Sequence, residues 1–137
     1  MNIYSIEIAT NVAFGYPTMV LGRMGSGKLY VAKEAIKLMK VPTLEISFYD
    51  LLNERKNYVP DWNGPLNRVS NKMQEVDAQI ASNPEQILLY NCIEYAYSNP
   101  SWMMHMFMQM IHHRKVIMVG EGFEFEPILE RCRIMEM

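Results

Sequence analysis

The chain has 137 residues, half of them hydrophobic, and its 13 lysines and arginines face 15 aspartates and glutamates, for a formal net charge of -2. This length suits one domain with its own core, so we expect a single domain over residues 1–137. A slightly acidic chain has no general attraction for nucleic acid or for an anionic membrane, so neither is an expected partner. The sequence has no signal-peptide pattern and no apolar run near the ~20 residues of a membrane span, so we expect a cytoplasmic location.

Short apolar runs alternate with helical patterns from residue 18 onward. Such alternation predicts a parallel sheet with helices packed against it. The predicted strands cover residues 18–21, 43–48, 87–90, 116–119 and 133–137, and the predicted helices cover 28–39, 66–81, 100–113 and 126–131. Residues 49–65 are polar and contain Pro60, Gly64 and Pro65, which favours a loop with a short helical turn. The expected fold class is therefore α/β, a three-layer α/β/α core with a mainly parallel five-stranded sheet.

A glycine-rich turn joins the first predicted strand to the first predicted helix. Residues 22–29 read Gly-Arg-Met-Gly-Ser-Gly-Lys-Leu, which matches the phosphate-loop pattern G-x-x-x-x-G-K and departs from it only at Leu29, where Ser or Thr is usual. In such a loop the backbone N–H groups and the helix N-terminus hold a phosphate, and Lys28 reaches its outer oxygens. The candidate binding residues are Gly22, Arg23, Met24, Gly25, Ser26, Gly27, Lys28 and Leu29. The alternative is a strand-to-helix turn that binds nothing.

The last position of the motif bears on the metal. A hydroxyl there normally ligates Mg²⁺, and Leu29 has none. We therefore expect the loop to hold ATP or ADP with a poorly supported Mg²⁺ ion or with none.

Methionine, histidine and cysteine offer no separate site. Several of the 13 methionines lie within residues 102–110, which predicts either a helix packed on the sheet, the interpretation we favour, or a surface for a partner. The three histidines, His105, His112 and His113, have no partner carboxylate at metal-ligand spacing, so no metal site is expected. The two cysteines have neither metal nor disulfide spacing and are expected to be reduced, buried thiols.

In the order and spacing of these segments, the chain resembles the AAA+ ATPases, in particular their MoxR-like branch. Residues 17–22 resemble the segment that leads into the family's phosphate loop, and residues 41–47 resemble its second strand. Residues 86–96 lie where the family has its Walker B strand, with Asn91 and Cys92 at the two acidic positions. The resemblance covers nearly the whole chain and implies that Asn91 contributes to the nucleotide site.

The last segment is also similar to the clamp-loader subunits. Residues 127–133 read Pro-Ile-Leu-Glu-Arg-Cys-Arg, as in the segment where the family places its arginine finger. The resemblance implies that Arg131 is this finger and reaches a neighbouring subunit. It also implies that the first sensor residue falls near Glu121, and that the chain ends at Met137 without the family's C-terminal helical lid.

Hydrolysis in this family needs a metal held by the loop hydroxyl and by an acidic residue, and a second carboxylate that activates water. Leu29, Asn91 and Cys92 replace these three groups. Glu94 is the nearest remaining carboxylate and is a second catalytic candidate besides Arg131, although we expect it to point away from the phosphates. The sequence therefore predicts an ATPase-like fold with little or no ATP hydrolysis.

Two hypotheses of different kinds remain open. In the first, the protein is a nucleotide-binding module that assembles with copies of itself or with an AAA+ partner. In the second, it is a pseudo-ATPase of viral or mobile-element origin that binds a host AAA+ machine and inhibits or modulates it. The nearly complete loop favours the first, whereas the missing lid and catalytic groups favour the second. Stabilisation of the fold by ATP would distinguish them.

Overall fold

The computed structural model describes residues 2–56 and 75–137. Strands β1 to β5 are Thr18–Leu21, Thr43–Ser47, Ile87–Asn91, Val116–Gly120 and Arg133–Glu136. The helices are α1 (Ile3–Ala13), α2 (Lys28–Met39), α3 (Phe48–Lys56), α4 (described over residues 75–82), α5 (Pro100–His112) and α6 (Glu126–Leu129), and a 3₁₀ helix covers Ile93–Ser98. Within the described ranges, no helix is long and apolar enough to cross a membrane.

The five strands form one sheet in the order β2-β3-β4-β1-β5, and all neighbouring strands are parallel. The predicted α/β fold with a five-stranded sheet is thus confirmed. β1, which leads into the glycine-rich turn, lies inside the sheet between β4 and β5. Because the strands are parallel, the residues that follow β1, β3 and β4 meet at one edge, which is where open α/β sheets bind ligands.

Two apolar clusters cover the two faces of the sheet and complete the three layers. On one face, α1 and α2 pack through Ile8, Val12, Val31, Ala32 and Ala35. On the other face lie the 3₁₀ helix and α3 to α6, with Phe48, Leu51, Val76, Ile80, Ile93, Trp102, Met106, Met110 and Ile128 in the core.

The methionine-rich segment forms α5 and has two different faces. Trp102, Met106 and Met110 recur every four residues, so they share one side of the helix, and all three are buried. Met104 is 60% exposed and Met108 is 38% exposed on the other side. The core interpretation therefore holds for one face of α5, and the second face is free for contact with solvent or a partner.

β3 and β2 follow their sequence patterns. The apolar run of β3 is buried from Ile87 to Tyr90, as predicted for a strand covered on both faces. β2 is an edge strand, and its alternating residues leave only Ile46 buried.

Three helical segments were not predicted. In α1 the buried residues Ser5, Ile8 and Val12 have helical spacing, a signal that was present in the sequence. The predicted loop is wrong for residues 49–56, and Phe48, predicted as the end of a strand, begins α3. Ser47 Oγ accepts the Asp50 N–H at 3.3 Å and caps this helix, whose first residue is buried in the core. The third segment is the 3₁₀ helix after β3. The rest of the predicted loop, and residues 66–74 of the predicted helix, lie outside the described residues.

Candidate phosphate-binding site

The glycine-rich turn leaves the carboxyl end of β1 and enters α2. Gly25 and Gly27 have φ angles of 82° and 84°, in the left-handed region that favours glycine. No atom lies within 4 Å of where a Cβ would stand on either residue, so backbone conformation rather than crowding requires glycine there. Gly27 is the N-cap residue of α2 and has no side chain to bond the first-turn N–H groups. Such a turn can offer several N–H donors to one anion.

Gly22 requires glycine for a different reason, which is close packing. A Cβ on this residue would lie 2.6 Å from Ser26 Oγ and 3.3 Å from Met137 Cβ. Its N–H donates to Gly120 O at 3.0 Å, and Met137 N–H donates to Leu21 O at 2.8 Å. The start of the turn is therefore held between the ends of β4 and β5. Ser26 Oγ is buried and has no hydrogen-bond partner among the described residues.

The remaining residues of the motif divide between solvent and core. Lys28 Nζ donates to Arg23 O at 3.2 Å, and Ser26 N–H donates to the same oxygen at 3.1 Å. These two hydrogen bonds connect the end of the turn to its beginning. The side chain of Arg23 is exposed, and Met24 is 86% exposed. Leu29 is partly buried against the apolar cluster of α1 and α2. Its hydrocarbon side chain has no atom that could bind a metal.

A cleft of about 580 Å³ opens between the turn and the ends of β3 and β4. Its loop wall consists of Met24, Gly25, Gly27, Lys28 and Leu29. Its strand-end wall consists of Asn91, Cys92, Glu94, Gly120 and Glu121, and Tyr30, Tyr49 and Tyr95 complete the lining. A cleft of this volume suits a small-molecule ligand. The predicted site residues Asn91 and Glu94 are thus brought together with the motif, whereas Gly22, Arg23 and Ser26 lie outside the lining.

The strand-end wall begins with an unusual backbone conformation. Cys92 has a φ of 57°, in the left-handed region that non-glycine residues rarely adopt. The side-chain oxygen of Asn91 accepts the N–H of Cys92 at 2.9 Å and so is bonded to the backbone of the next residue.

The residues at the metal positions do not fit Mg²⁺. Leu29 is apolar, and the amide of Asn91 is neutral and already accepts a hydrogen bond. Among the residues that the structure describes, no group of three His, Cys, Asp or Glu side chains could hold a metal ion.

Glu94 lies in the cleft, so the prediction that it points away is wrong. Its Oε2 accepts the N–H of Glu121 at 3.2 Å and lies 2.5 Å from where a Cβ on residue 120 would stand. The cause is the left-handed Cys92 followed by a 3₁₀ helix, whose tight turn carries residue 94 back over the end of β4.

The thiol of Cys92 stays protonated in this setting. Burial raises the pKa of Cys92, and the carboxylate of Glu94 raises this pKa further. A hydrogen bond with Ser47 and the charge of Lys28 lower the pKa, but not enough to reverse the direction. A protonated thiol cannot accept a proton from water, so Cys92 does not replace the missing general base. Lys28 and Glu94 also both lie within electrostatic range of this one sulfur atom.

Arg131 lies away from this cleft, in the turn between α6 and β5. β5 is parallel to β1, with Arg133 opposite Thr18, so Arg131 is at the amino-terminal edge of the sheet. Its guanidinium donates to Pro127 O at 2.8 Å and lies over the Phe107 ring, 5.3 Å from the centroid. It therefore takes no part in the cleft of its own chain.

A polar contact behind the strand-end wall, buried at Tyr90 and His105 and exposed at Asp77, was missed in the sequence. Tyr90 Oη lies 2.7 Å from His105 Nε2, and His105 Nδ1 lies 3.1 Å from Asp77 Oδ1. Burial lowers the pKa of His105, and Asp77 offsets this only in part. Burial also raises the pKa of Tyr90 well above its usual value. The three residues come from β3, α4 and α5, so no local spacing could have indicated the contact.

The chain matches no protein-family model, and it matches no curated protein. Its function therefore has to be inferred from the cleft itself. The cleft combines a loop wall whose backbone can bind phosphate with a strand-end wall in which an amide and a thiol stand at Asn91 and Cys92 and the carboxylates come from Glu94 and Glu121.

Proposed function

We propose that the protein is an AAA+-like P-loop module of the cytoplasm that binds ATP or ADP with little or no hydrolysis and acts through assembly with itself or with an AAA+ partner. The loop wall carries this proposal. Left-handed Gly25 and Gly27, the N-terminus of α2 and the amino group of Lys28 converge on one cleft at the carboxyl edge of a parallel sheet. Each of these features favours phosphate, and their combination is what a phosphate loop requires.

The absence of hydrolysis follows from the other wall. Orientation and deprotonation of water need a carboxylate or another base beside the terminal phosphate, and the metal needs anionic oxygen ligands. Leu29 and Asn91 provide no such ligand, and the Cys92 thiol is protonated. Glu94, in the 3₁₀ helix that follows β3, is a carboxylate that lines the cleft. Without a supported metal ion it is not sufficient for hydrolysis.

Thermal unfolding with and without nucleotide tests the proposal. A ligand present at 100 times its Kd stabilises the folded state by about 2.7 kcal/mol, so ATP or ADP should raise the Tm of the wild type. Lys28→Ala should lose this stabilisation and keep its fold, because the Lys28 side chain is only partly buried and its hydrogen bond, to Arg23 O, stays within the turn. Lys37→Ala, an exposed lysine at the other end of α2, is the matched control and should retain it.

Two results would count against the proposal. Equal stabilisation of the wild type and of Lys28→Ala would show that the nucleotide binds elsewhere. Phosphate release near the ~10 per second of ordinary enzymes, lost in Lys28→Ala, would show that the cleft is a working ATPase.

A second candidate function is that of a pseudo-ATPase that binds and modulates a host AAA+ machine. An apolar groove of about 350 Å³ between α5 and α6 favours it, with Pro100, Met103, Met104, Phe107, Phe125 and Pro127 as its lining. Exposed apolar grooves often mark protein interfaces, and methionines adapt readily to a partner surface. A protein that neither ATP nor ADP stabilises would fit this second candidate better than the first.

A further inference from the structure

We infer that the cleft selects a nucleoside diphosphate over the corresponding triphosphate, because Glu94 and Glu121 face the space that a third phosphate would occupy. The inference rests on the proposed nucleotide site and adds to it the class of ligand. It follows from the position of Lys28, from the way Glu94 is held, and from the charges of the residues that line the cleft.

The position of a third phosphate can be deduced from Lys28. In a phosphate loop the backbone N–H groups surround the β-phosphate, and the lysine reaches both the β- and γ-phosphates. Lys28 lies at the mouth of the loop, where its amino group donates to Arg23 O at 3.2 Å. Lys28 and Glu94 line the same cleft. A γ-phosphate that contacts Lys28 therefore enters the cleft that Glu94 lines.

Glu94 cannot readily turn away from this space. Its carboxylate accepts the Glu121 N–H at 3.2 Å and lies against the backbone of Gly120, where even a Cβ would clash. The preceding residue, Ile93, is fully buried and anchors the 3₁₀ helix. The side chain of Glu94 is itself partly buried, so solvent and salt screen its charge less than that of a surface glutamate.

The charges of the cleft do not balance a third phosphate. Among the described residues that line it, Lys28 is the one cation, and Glu94 and Glu121 are two carboxylates. A metal ion between carboxylate and phosphate would remove the repulsion, but Leu29 and Asn91 do not support one. A terminal phosphate carries between one and two negative charges near pH 7, and here it would meet like charge. A diphosphate ends at the loop wall and avoids this contact.

Isothermal titration of ADP and of ATP, each with and without Mg²⁺, tests the inference. The wild type should bind ADP about tenfold more tightly than ATP, a ratio that corresponds to about 1.4 kcal/mol. Glu94→Gln keeps the size and a hydrogen-bond acceptor but removes the charge, so ATP should bind about tenfold more tightly and ADP should change little. Glu121→Gln should have a smaller effect in the same direction, because this side chain is exposed.

Glu7→Gln is the matched control, since this exposed glutamate on α1 changes the net charge equally and lies outside the cleft. Equal or tighter binding of ATP by the wild type would overturn the inference and leave the nucleotide site in place. The same holds if Glu94→Gln does not change the ratio of the two affinities. If neither nucleotide binds to the wild type, the proposed site itself is wrong, and the inference fails with it.

Discussion

The two walls of the cleft differ in what they use to make their contacts. The loop wall offers main-chain N–H groups, and its requirements are glycine at the left-handed positions and one lysine. The strand-end wall offers side chains. Among them are the amide of Asn91 and the protonated thiol of Cys92. Since main-chain donors need only a suitable backbone conformation, the ability of the loop wall to bind an anion does not depend on which side chains form the strand-end wall.

The walls also differ in what lies behind them. Gly25 and Gly27 have open space around them, and the loop wall is mostly exposed. The strand-end wall is backed by the core, with Tyr90 and Ile93 fully buried beneath it. Substitutions in the loop wall should therefore affect ligand binding with little loss of stability. Substitutions in the strand-end wall should affect both.

The largest effect is expected for Gly120→Ala. Its Cβ would lie 2.5 Å from Glu94 Oε2 and 2.6 Å from Ile93 Cγ1, and overpacking of this kind costs about 1–3 kcal/mol. Gly25→Ala has no such contact and should cost only the roughly 1–2 kcal/mol of its left-handed backbone. Urea unfolding of both variants measures the two costs. A larger loss of unfolding free energy in Gly25→Ala than in Gly120→Ala would show that the loop wall, and not the strand-end wall, contributes more to stability.

Acid should weaken the core behind the strand-end wall. Burial lowers the pKa of His105 below its usual 6.5, so at mildly acidic pH the unfolded chain binds a proton that the folded chain does not. The contribution to stability is therefore complete above pH 6.5 and is lost as the pH falls through this value towards the folded-state pKa. His105→Gln removes the titrating group, and its Tm should fall less steeply between about pH 7 and pH 5.

The control for this experiment is His112→Gln, which changes an exposed histidine on the same helix. It should reproduce the pH dependence of the wild type. A His105→Gln variant with the wild-type slope would assign the acid sensitivity to other groups.

The smallest effect on stability is expected at the opposite edge of the sheet, at Arg131. Arg131→Ala removes a hydrogen bond to Pro127 O, a contact with the Phe107 ring and an ion pair with Glu130 at 3.8 Å. All three involve an exposed side chain, so the variant should cost no more than about 1 kcal/mol. If the residue is an arginine finger, the variant should instead lose nucleotide-dependent assembly, as measured by sedimentation. A drop of several degrees in Tm with unchanged association would show that Arg131 has a structural role only.

Much of the fold could be predicted because its signals are local. The buried run of β3, the helical spacing in α2 and the glycines of the turn each lie within a few residues of one another. The errors have equally definite causes. α3 depends on the cap by Ser47 and on burial of Phe48, and the polar residues that follow do not indicate either. The position of Glu94 depends on the left-handed backbone of Cys92.

The sequence by itself determined the fold class, the place of the glycine-rich turn and the absence of a hydroxyl at Leu29 and of carboxylates at Asn91 and Cys92, because backbone propensity and residue chemistry can be read along the chain. Only the tertiary structure decided which distant groups meet. It brought Glu94 and Lys28 into one cleft, placed Arg131 at the far edge of the sheet, and joined Asp77 to His105. These relations depend on strand order and on how the helices pack, and no local pattern specifies the distance between segments far apart in the chain.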